Sequence, residues 1–346
     1  MKHQTTRYGE IPFYKIGTFG NTADAFISKK LFLEYKTKYS FPKKGDILIS
    51  ASGTIGRTVI YDGKPAYFQD SNIVWIDNDE TLVKNDFLFY AYSNVKWNTE
   101  HTTILRLYND NFRNTLIPLP PLNEQSAIAN ILSALDRYLC ALYALILKKE
   151  GIKKALSFEL LSQRKRLKGF NQAWQRVRLG DIANYLTSNL SVEQITQQGK
   201  IKVYDVNNFI GYTDTTFISD KPYISIVKDG SVGRVRILPP KTNILSTMGA
   251  LIANHKTTTE FLFYLLSNFD FKNFTSGSII PHIYFKDYKE KTIFLPPLNE
   301  QSAIADILST LDKEIASLKN KKRQFENIKK ALNHDLMSAK IRVLEK

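Results

Sequence analysis

The chain has 346 residues, 43% of them hydrophobic and 12% aromatic, which suits two or three folded domains and excludes a disordered polymer. Its 48 Lys and Arg against 33 Asp and Glu leave a formal charge of +15, favouring a polyanionic partner, nucleic acid ahead of a membrane surface. One cysteine, Cys140, excludes an internal disulfide framework and a cysteine-built zinc site. There is no apolar leader and no run of 18 apolar residues, so the expectation is a protein of the reducing cytoplasm with no membrane span.

The first elements in chain order are short β-type runs at 46–50, 58–61 and 72–76, punctuated by turn residues at 42–45 and at Asp62-Gly63. Between the first two lies Ser52-Gly-Thr-Ile-Gly-Arg57, and a short helix is expected at 86–93. Pro120 and Pro121 then bar helix before them, and Asn123 reads as the N-cap of a long helix, with Glu124 favourable at its positive end. Apolar residues step by four and three through Ile128, Leu132, Leu135, Leu139, Leu142 and Ile146, with Leu156 and Leu160 later. That is a heptad seam, interrupted by Lys149 and Lys153, polar positions of the kind that fix register. A helix of about 44 residues would be about 65 Å long. It ends in Arg164-Lys-Arg-Leu-Lys168, the densest basic cluster.

The second half repeats this order. Strands are expected at 223–227 and 235–238 around Asp229-Gly-Ser-Val-Gly-Arg234, and a short helix at 260–267. Pro296-Pro297 and Asn299 then open a second helix with the seam Ile304, Leu308, Leu311, Ile315, Leu318, Phe325, Leu332 and Leu336, interrupted by Lys322 and Lys329. Residues 119–136 and 295–312 agree at 16 of 18 positions, offset by 176, and Ser162 and Arg166 match Ser338 and Arg342. Ahead of the helices the halves are related but divergent: Gly53 to Arg57 matches Gly230 to Arg234, Phe87-Leu-Phe-Tyr90 matches Phe261-Leu-Phe-Tyr264, and Gly9 matches Gly199. Near-identical segments answer to one shared constraint and divergent ones to two targets. Two matching seams in one chain favour an intramolecular antiparallel pair.

No catalytic constellation is evident. The proline pairs lack the polar and aromatic flanks of an amino-methyltransferase loop. Asp24 with Glu34-Tyr-Lys36 mimics a nuclease pattern only in the first half. The histidines His3, His101, His255, His282 and His334 lack metal-ligand spacing, and the Gly-x-x-Gly loops are neither Walker loops nor dinucleotide fingerprints. Both loops instead carry DNA-contact chemistry, for glycine lets backbone approach a phosphate or groove wall and Arg57 or Arg234 can fork onto a guanine edge. A plain hairpin turn with an exposed Arg would show the same residues. Ser52, Thr54 and Ser231 join these as candidates, with Lys43, Lys44, Lys228 and Arg236 as phosphate holders. Arg106 and Tyr108 precede the first proline block as His282, Tyr284 and Lys286 precede the second. The excess charge is shared by residues 1–122, 123–169, 170–298 and 299–346 as +3, +5, +4 and +3, so no single tail accounts for it.

A doubled Leu-Pro-Pro-Leu-Asn-Glu-Gln block, each copy after a divergent domain with Gly-Thr-Ile-Gly-Arg or a near match, resembles the specificity subunits of type I restriction-modification systems along essentially the whole chain. The resemblance implies an α+β fold with two mixed α/β target-recognition domains, at 1–122 and 170–298. They would be separated by helical spacers at 123–169 and 299–346, which form an antiparallel coiled coil about a pseudo-two-fold repeat. It also implies a non-catalytic subunit that reads one half of a bipartite duplex DNA target with each domain, the helix length acting as a ruler. Two methyltransferase subunits would dock on the helices, bringing S-adenosylmethionine, and restriction subunits would bring ATP and Mg; this chain itself would bind no cofactor. A stand-alone bipartite DNA-binding regulator is the alternative. One departure stands out: Trp174-Gln-Arg-Val-Arg-Leu-Gly-Asp-Ile182 resembles the family's opening of a recognition domain, and its first-half equivalent, about 20 residues, would fall before Met1.

Overall fold

The computed structural model describes residues 4–68, 72–97 and 106–344, so His3 and His101 lie outside the described residues. The chain divides into two compact units: residues 1–143 with 320–346, and residues 144–319. The division falls inside the two long helices, so each unit holds one half of each.

Unit 1 begins with β1 (Ile11–Tyr14), β2 (Ala25–Ile27) and α1 (Lys29–Lys38), where Ser28 caps the helix by accepting the Leu31 N–H. It continues through β3 (Ile47–Ser50), β4 (Thr58–Ile60), β5 (Tyr67–Phe68) and β6 (Ile73–Trp75) to α2 (Asn85–Asn94) and the short α3 (Asn109–Arg113). Two three-stranded sheets result, ordered β2-β1-β5 and β4-β3-β6. All four residues of β3 are buried, a central strand covered on both faces. The first long helix, α4 (Leu122–Leu161), starts in unit 1.

Unit 2 has the same plan with additions. It runs β7 (Gln175–Arg178), β8 (Ala183–Thr187), β9 (Ile201–Tyr204), β10 (Phe209–Thr213), β11 (Tyr223–Val227), β12 (Val235–Leu238), β13 (Thr242–Ile244) and β14 (Met248–Ala253). There follow α5 (Thr259–Ser267), β15 (Thr275–Ser276), β16 (His282–Ile283), α6 (Phe285–Tyr288), β17 (Thr292–Leu295) and α7 (Leu298–Met337). The sheet β10-β9-β13 answers to β2-β1-β5, and β12-β11-β14 to β4-β3-β6, but here β8 adds a fourth strand beside β14 and β7 pairs with β17. Among the described residues, unit 1 has no counterpart of β7 or β8.

The expectation of Asn123 and Asn299 as N-caps is corrected. Each helix begins two residues earlier than those caps would place it, at Leu122 and Leu298, and the Gln125 and Gln301 N–H groups donate to the carbonyls of Pro121 and Pro297, which are the caps. Proline suits that place because its fixed φ approaches the helix and no N–H is wasted. Each Asn instead accepts the N–H of the Glu after it, at 2.9 Å. The helices are 40 residues each, about 60 Å at 1.5 Å per residue.

Within each unit the helix halves run antiparallel, and paired side chains hold them. In unit 1, Arg342 after α7 donates to Glu124 in the first turn of α4, and in unit 2 Arg166 after α4 donates to Glu300 in the first turn of α7 at 2.6 and 3.2 Å. The lysines that break the seam are ion-paired: Lys329 with Asp136 in unit 1, and Lys153 with Asp312 and Lys149 with Glu314 in unit 2. Lys322 instead meets Glu326 on its own helix. Each of those aspartates also takes a phenol from its head, Tyr90 onto Asp136 and Tyr264 onto Asp312, both at 2.8 Å. Gln125 and Gln301 finish the attachment: Gln125 accepts the Lys84 N–H and donates to the Leu82 and Pro120 carbonyls, while Gln301 serves Thr257, Thr258, Lys256 and Pro296 in the same manner. The identical Asn-Glu-Gln words are thus the joint between head and helix.

The seam is most deeply buried where it meets a head. Ile128 and Leu132 pack with Phe87, Leu336 and Met337, and Ile304 and Leu308 with Phe261, Leu160 and Tyr264. Leu142, Ile146 and Ile315 are also buried, whereas Leu135, Leu139, Leu311 and Leu318 are only half-buried. The other faces of α4 expose Ile131, Tyr143, Leu145, Leu147, Ile152 and Phe158. By length and composition α4 would suffice to cross a membrane, with a window of mean hydropathy 1.4. Its Lys149 and Lys153 are paired to Glu314 and Asp312 on α7.

Burial, and then the Asp312 carboxylate, push the Tyr264 phenol above its ordinary range; burial pushes Tyr223 up to about 12. Raised folded values mean this stability is complete below about pH 10 and lost as pH climbs beyond it. Urea unfolding at pH 9 and near pH 11.5 should show a lower midpoint at the higher pH, and a smaller drop in Tyr264→Phe. Equal midpoints would contradict the assignment.

Candidate nucleic-acid interface

Each head presents one matched loop. In unit 1 the β3–β4 turn closes with the Gly56 N–H on the Ser50 carbonyl and the Ser50 N–H on the Arg57 carbonyl. In unit 2 the β11–β12 turn closes the same way, through Gly233 on Val227 and Val227 on Arg234. The glycines take left-handed backbone, with φ of 66° and 86° at Gly53 and Gly56 and of 83° and 80° at Gly230 and Gly233. An aromatic ring lies under the second glycine of each pair, for an added Cβ would meet Trp97 at 2.8 Å or Phe271 at 2.7 Å. The shared glycine spacing therefore has a local structural cause in both heads.

The arginines leave these loops toward solvent, each with one end anchored. Arg57 Nη1 donates to the Phe19 carbonyl at 2.9 Å, and Arg234 Nη2 to Asn207 Oδ1 at 2.8 Å. A guanidinium has five donors, so each anchored group retains others to offer an acceptor outside the protein. Arg236 joins the second patch by donating to the Asn207 carbonyl and lying 5.2 Å over the Tyr204 ring. Asn207, which sequence reasoning passed over, thus organises two arginines; its only signal was its place in a short polar turn, Asp205-Val-Asn-Asn208.

The residues before each proline block come to the same loops. Arg106 bridges to Ser52 and Leu107 donates its N–H to the Ala51 carbonyl, while His282 bridges to Asp229 and Ile283 donates to the Lys228 carbonyl. Tyr108 and Tyr284 follow, both exposed, with Lys286 5.4 Å over the Tyr284 ring. His282 Nδ1 lies 2.7 Å from Asp229 Oδ1, and Asp229 Oδ2 faces Lys228 Nζ at 3.5 Å. The neighbouring Ser276–Pro281 loop exposes Ile279 at 92%, beside Ile280 at 55%, a bare apolar tip next to the basic patch. The signal for it in the sequence is the Ile-Ile pair between Ser-Gly-Ser and Pro281.

Other candidates are placed differently. Ser52 is buried and donates to Asn72 at 2.7 Å, so it faces into its head, whereas Thr54 and Ser231 are exposed at the loop tips. Lys43 and Lys44 stand at the opposite end of β3 from the loop, and Lys43 pairs with Asp77 at 2.9 Å. Among the described residues no group of three or more His, Cys, Asp or Glu side chains is placed to hold a metal ion.

Two α+β heads, each with a matched glycine–arginine loop and each joined to helix by the same Glu-Gln contacts, define a two-headed recognition protein. The family model for the type I restriction modification DNA specificity domain matches residues 1–150 and 171–327. The chain belongs to that family.

A Haemophilus influenzae protein named for a type I restriction enzyme specificity subunit is 64% identical over 137 residues, 39% of this chain and 36% of that one. The match thus spans little more than a third of that relative's length. Another named for the MjaX specificity subunit of Methanocaldococcus jannaschii is 28% identical over 337 residues, covering 86% of this chain and 79% of that one. In fold the chain is similar to the type I S subunit from M. genitalium, with a TM-score of 0.64 at 21% identity, covering 97% and 91% of the two chains. It is also similar to a chain from a structure of type I assembly and conformational transition, with a TM-score of 0.55 at 17% identity, covering 85% and 82%.

Proposed function

We propose that this chain is the DNA-reading subunit of a type I restriction-modification assembly, each head reading one half of a split duplex target. The observation that carries it is the matched loop: one backbone turn presents Arg57 in one head and Arg234 in the other, amid divergent neighbours. Common scaffold with different surroundings is what two half-targets of different sequence require, while Lys228, Arg236 and Lys286 supply phosphate contacts that hold register. The exposed apolar residues of α4 suit partner subunits, and we assign methyltransferase and restriction subunits to that role. S-adenosylmethionine, ATP and Mg then belong to those partners, and this chain performs recognition without chemistry, in the cytoplasm where the DNA is. Bare apolar helix disfavours the alternative of a regulator working alone.

The test is methylation mapping of cells with and without the gene, which should reveal one split adenine-methylated motif that depends on it. Arg57→Ala should relax one half of that motif and Arg234→Ala the other, each by about 1–3 kcal/mol, roughly 5- to 150-fold, while partner assembly persists. Full sequence preference in both variants would remove the loops from the reading.

A further inference from the structure

The β15–β16 hairpin of unit 2 carries an apolar tip that its own head leaves uncovered. Thr275 pairs with Ile283 and Ser276 with His282, so residues 277–281 form the turn. Gly277 opens it with φ 91°, where an added Cβ would run into the Ile280 carbonyl oxygen. Ile279 is left 92% exposed and Ile280 55%. The base of the turn is nevertheless fixed. The Gly230 N–H donates to the Pro281 carbonyl and the Ile283 N–H to the Lys228 carbonyl, both at 2.9 Å, and His282 Nδ1 meets Asp229 Oδ1 at 2.7 Å. On the other strand, Thr275 Oγ1 donates at 3.0 Å to the carbonyl of Phe271, a residue of the core. Two isoleucines thus stand on a rigid support that holds them out into solvent.

That support is the matched loop itself, since Gly230 lies between Asp229 and Arg234. Residues 228–236 and 276–284 hold three cations, Lys228, Arg234 and Arg236, against one acid, Asp229, and Lys286 follows. An apolar point flanked by cations complements a partner that is anionic outside and apolar within. Duplex DNA has this character, with phosphates along its edges and stacked base faces inside. Isoleucine is among the side chains able to enter between base pairs, and a wedge must be held rigidly to pry a step open.

We propose that Ile279, backed by Ile280, is a wedge that enters the base stack of the half-target read by unit 2. The proposal rests on the DNA-reading assignment and adds a second kind of readout to it. Arg234 reads base edges directly, whereas the wedge reads how readily a neighbouring step unstacks. Pyrimidine–purine steps open most easily, so the half-target carries a TA or CA/TG step where Ile279 enters.

The experiment uses the complete chain assembled with its methyltransferase partner and duplexes bearing the split motif. 2-Aminopurine replaces in turn each base of this half except the methylated adenine, and its fluorescence reports unstacking. A rise is expected at one step. Ile279→Ala should abolish the rise and weaken binding about tenfold, Ile279→Leu should keep both, and a mismatch placed at that step should restore most of the affinity lost in Ile279→Ala. Specific binding with no rise at any position, or a rise that survives Ile279→Ala, would overturn the wedge and leave the DNA reading standing. Loss of partner assembly in Ile279→Ala, with DNA affinity intact, would assign the tip to a protein surface and overturn it too. A wild-type assembly without sequence preference would overturn the DNA reading and the wedge together.

Discussion

Leu308→Ala should lower the stability of unit 2 by about 2–5 kcal/mol, read as a fall in urea midpoint with little change in slope. Leu308 is fully buried on α7 in the cluster that includes Phe261, Tyr264, Ile304 and Leu160, so head, α7 and α4 all lose contacts to the void. Leu132→Ala, its counterpart in unit 1, should do the same there, since Leu132 is equally enclosed by Phe87, Tyr90 and Leu336. Ile152→Ala is the informative control. Ile152 is 44% exposed on α4, and its loss should stay within about 0.5 kcal/mol in the isolated chain while weakening the association of a partner that covers it. If Leu308→Ala cost no more than Ile152→Ala, the joint between head and helix would be misassigned.

Gly233→Ala is expected to cost about 2–4 kcal/mol and to abolish recognition of one half-target with Arg234 still present. Alanine at φ 80° is strained, and its methyl would fall 2.7 Å from the Phe271 ring and 2.9 Å from its Cβ. Phe271 is itself buried in the core, so the loop must move rather than the ring. Gly230→Ala separates the two effects: its φ is 83° but nothing lies within 4 Å, leaving only the backbone penalty of about 1–2 kcal/mol. The pair is compared by urea denaturation and by methylation at the split motif. Equal losses would mean that the packing against Phe271 does not position Arg234.

Much of the molecule was legible in the residues alone. The doubled proline block, the two seams and the divergent segments before them determined the repeat, the long helices and the existence of two heads, because proline and heptad spacing act locally. The runs around 47–50, 223–227 and 235–238 are strands, and both short helices form within one residue of where the pattern put them. Strands β8 and β14 lie outside the expected set because they pair with each other across distant segments, whereas β9, with its Ile-Lys-Val alternation and its hairpin partner β10 just beyond the Asp205–Asn208 turn, carried a local signal.

The tertiary structure alone decided why certain letters repeat. Glu124 looked like a charge at a helix end, but its partner Arg342 is 218 residues away, and only the antiparallel run of the helix halves brings the two within hydrogen-bond reach. Lys153 and Lys329 looked like interruptions, yet each neutralises an aspartate that also holds a tyrosine of the head. The same contrast separates Ser52, turned inward onto Asn72, from Thr54 on the open tip. Local pattern sets which stretch becomes helix or strand, whereas the partner of a buried charge is set by chain folding across hundreds of residues, which no spacing rule encodes.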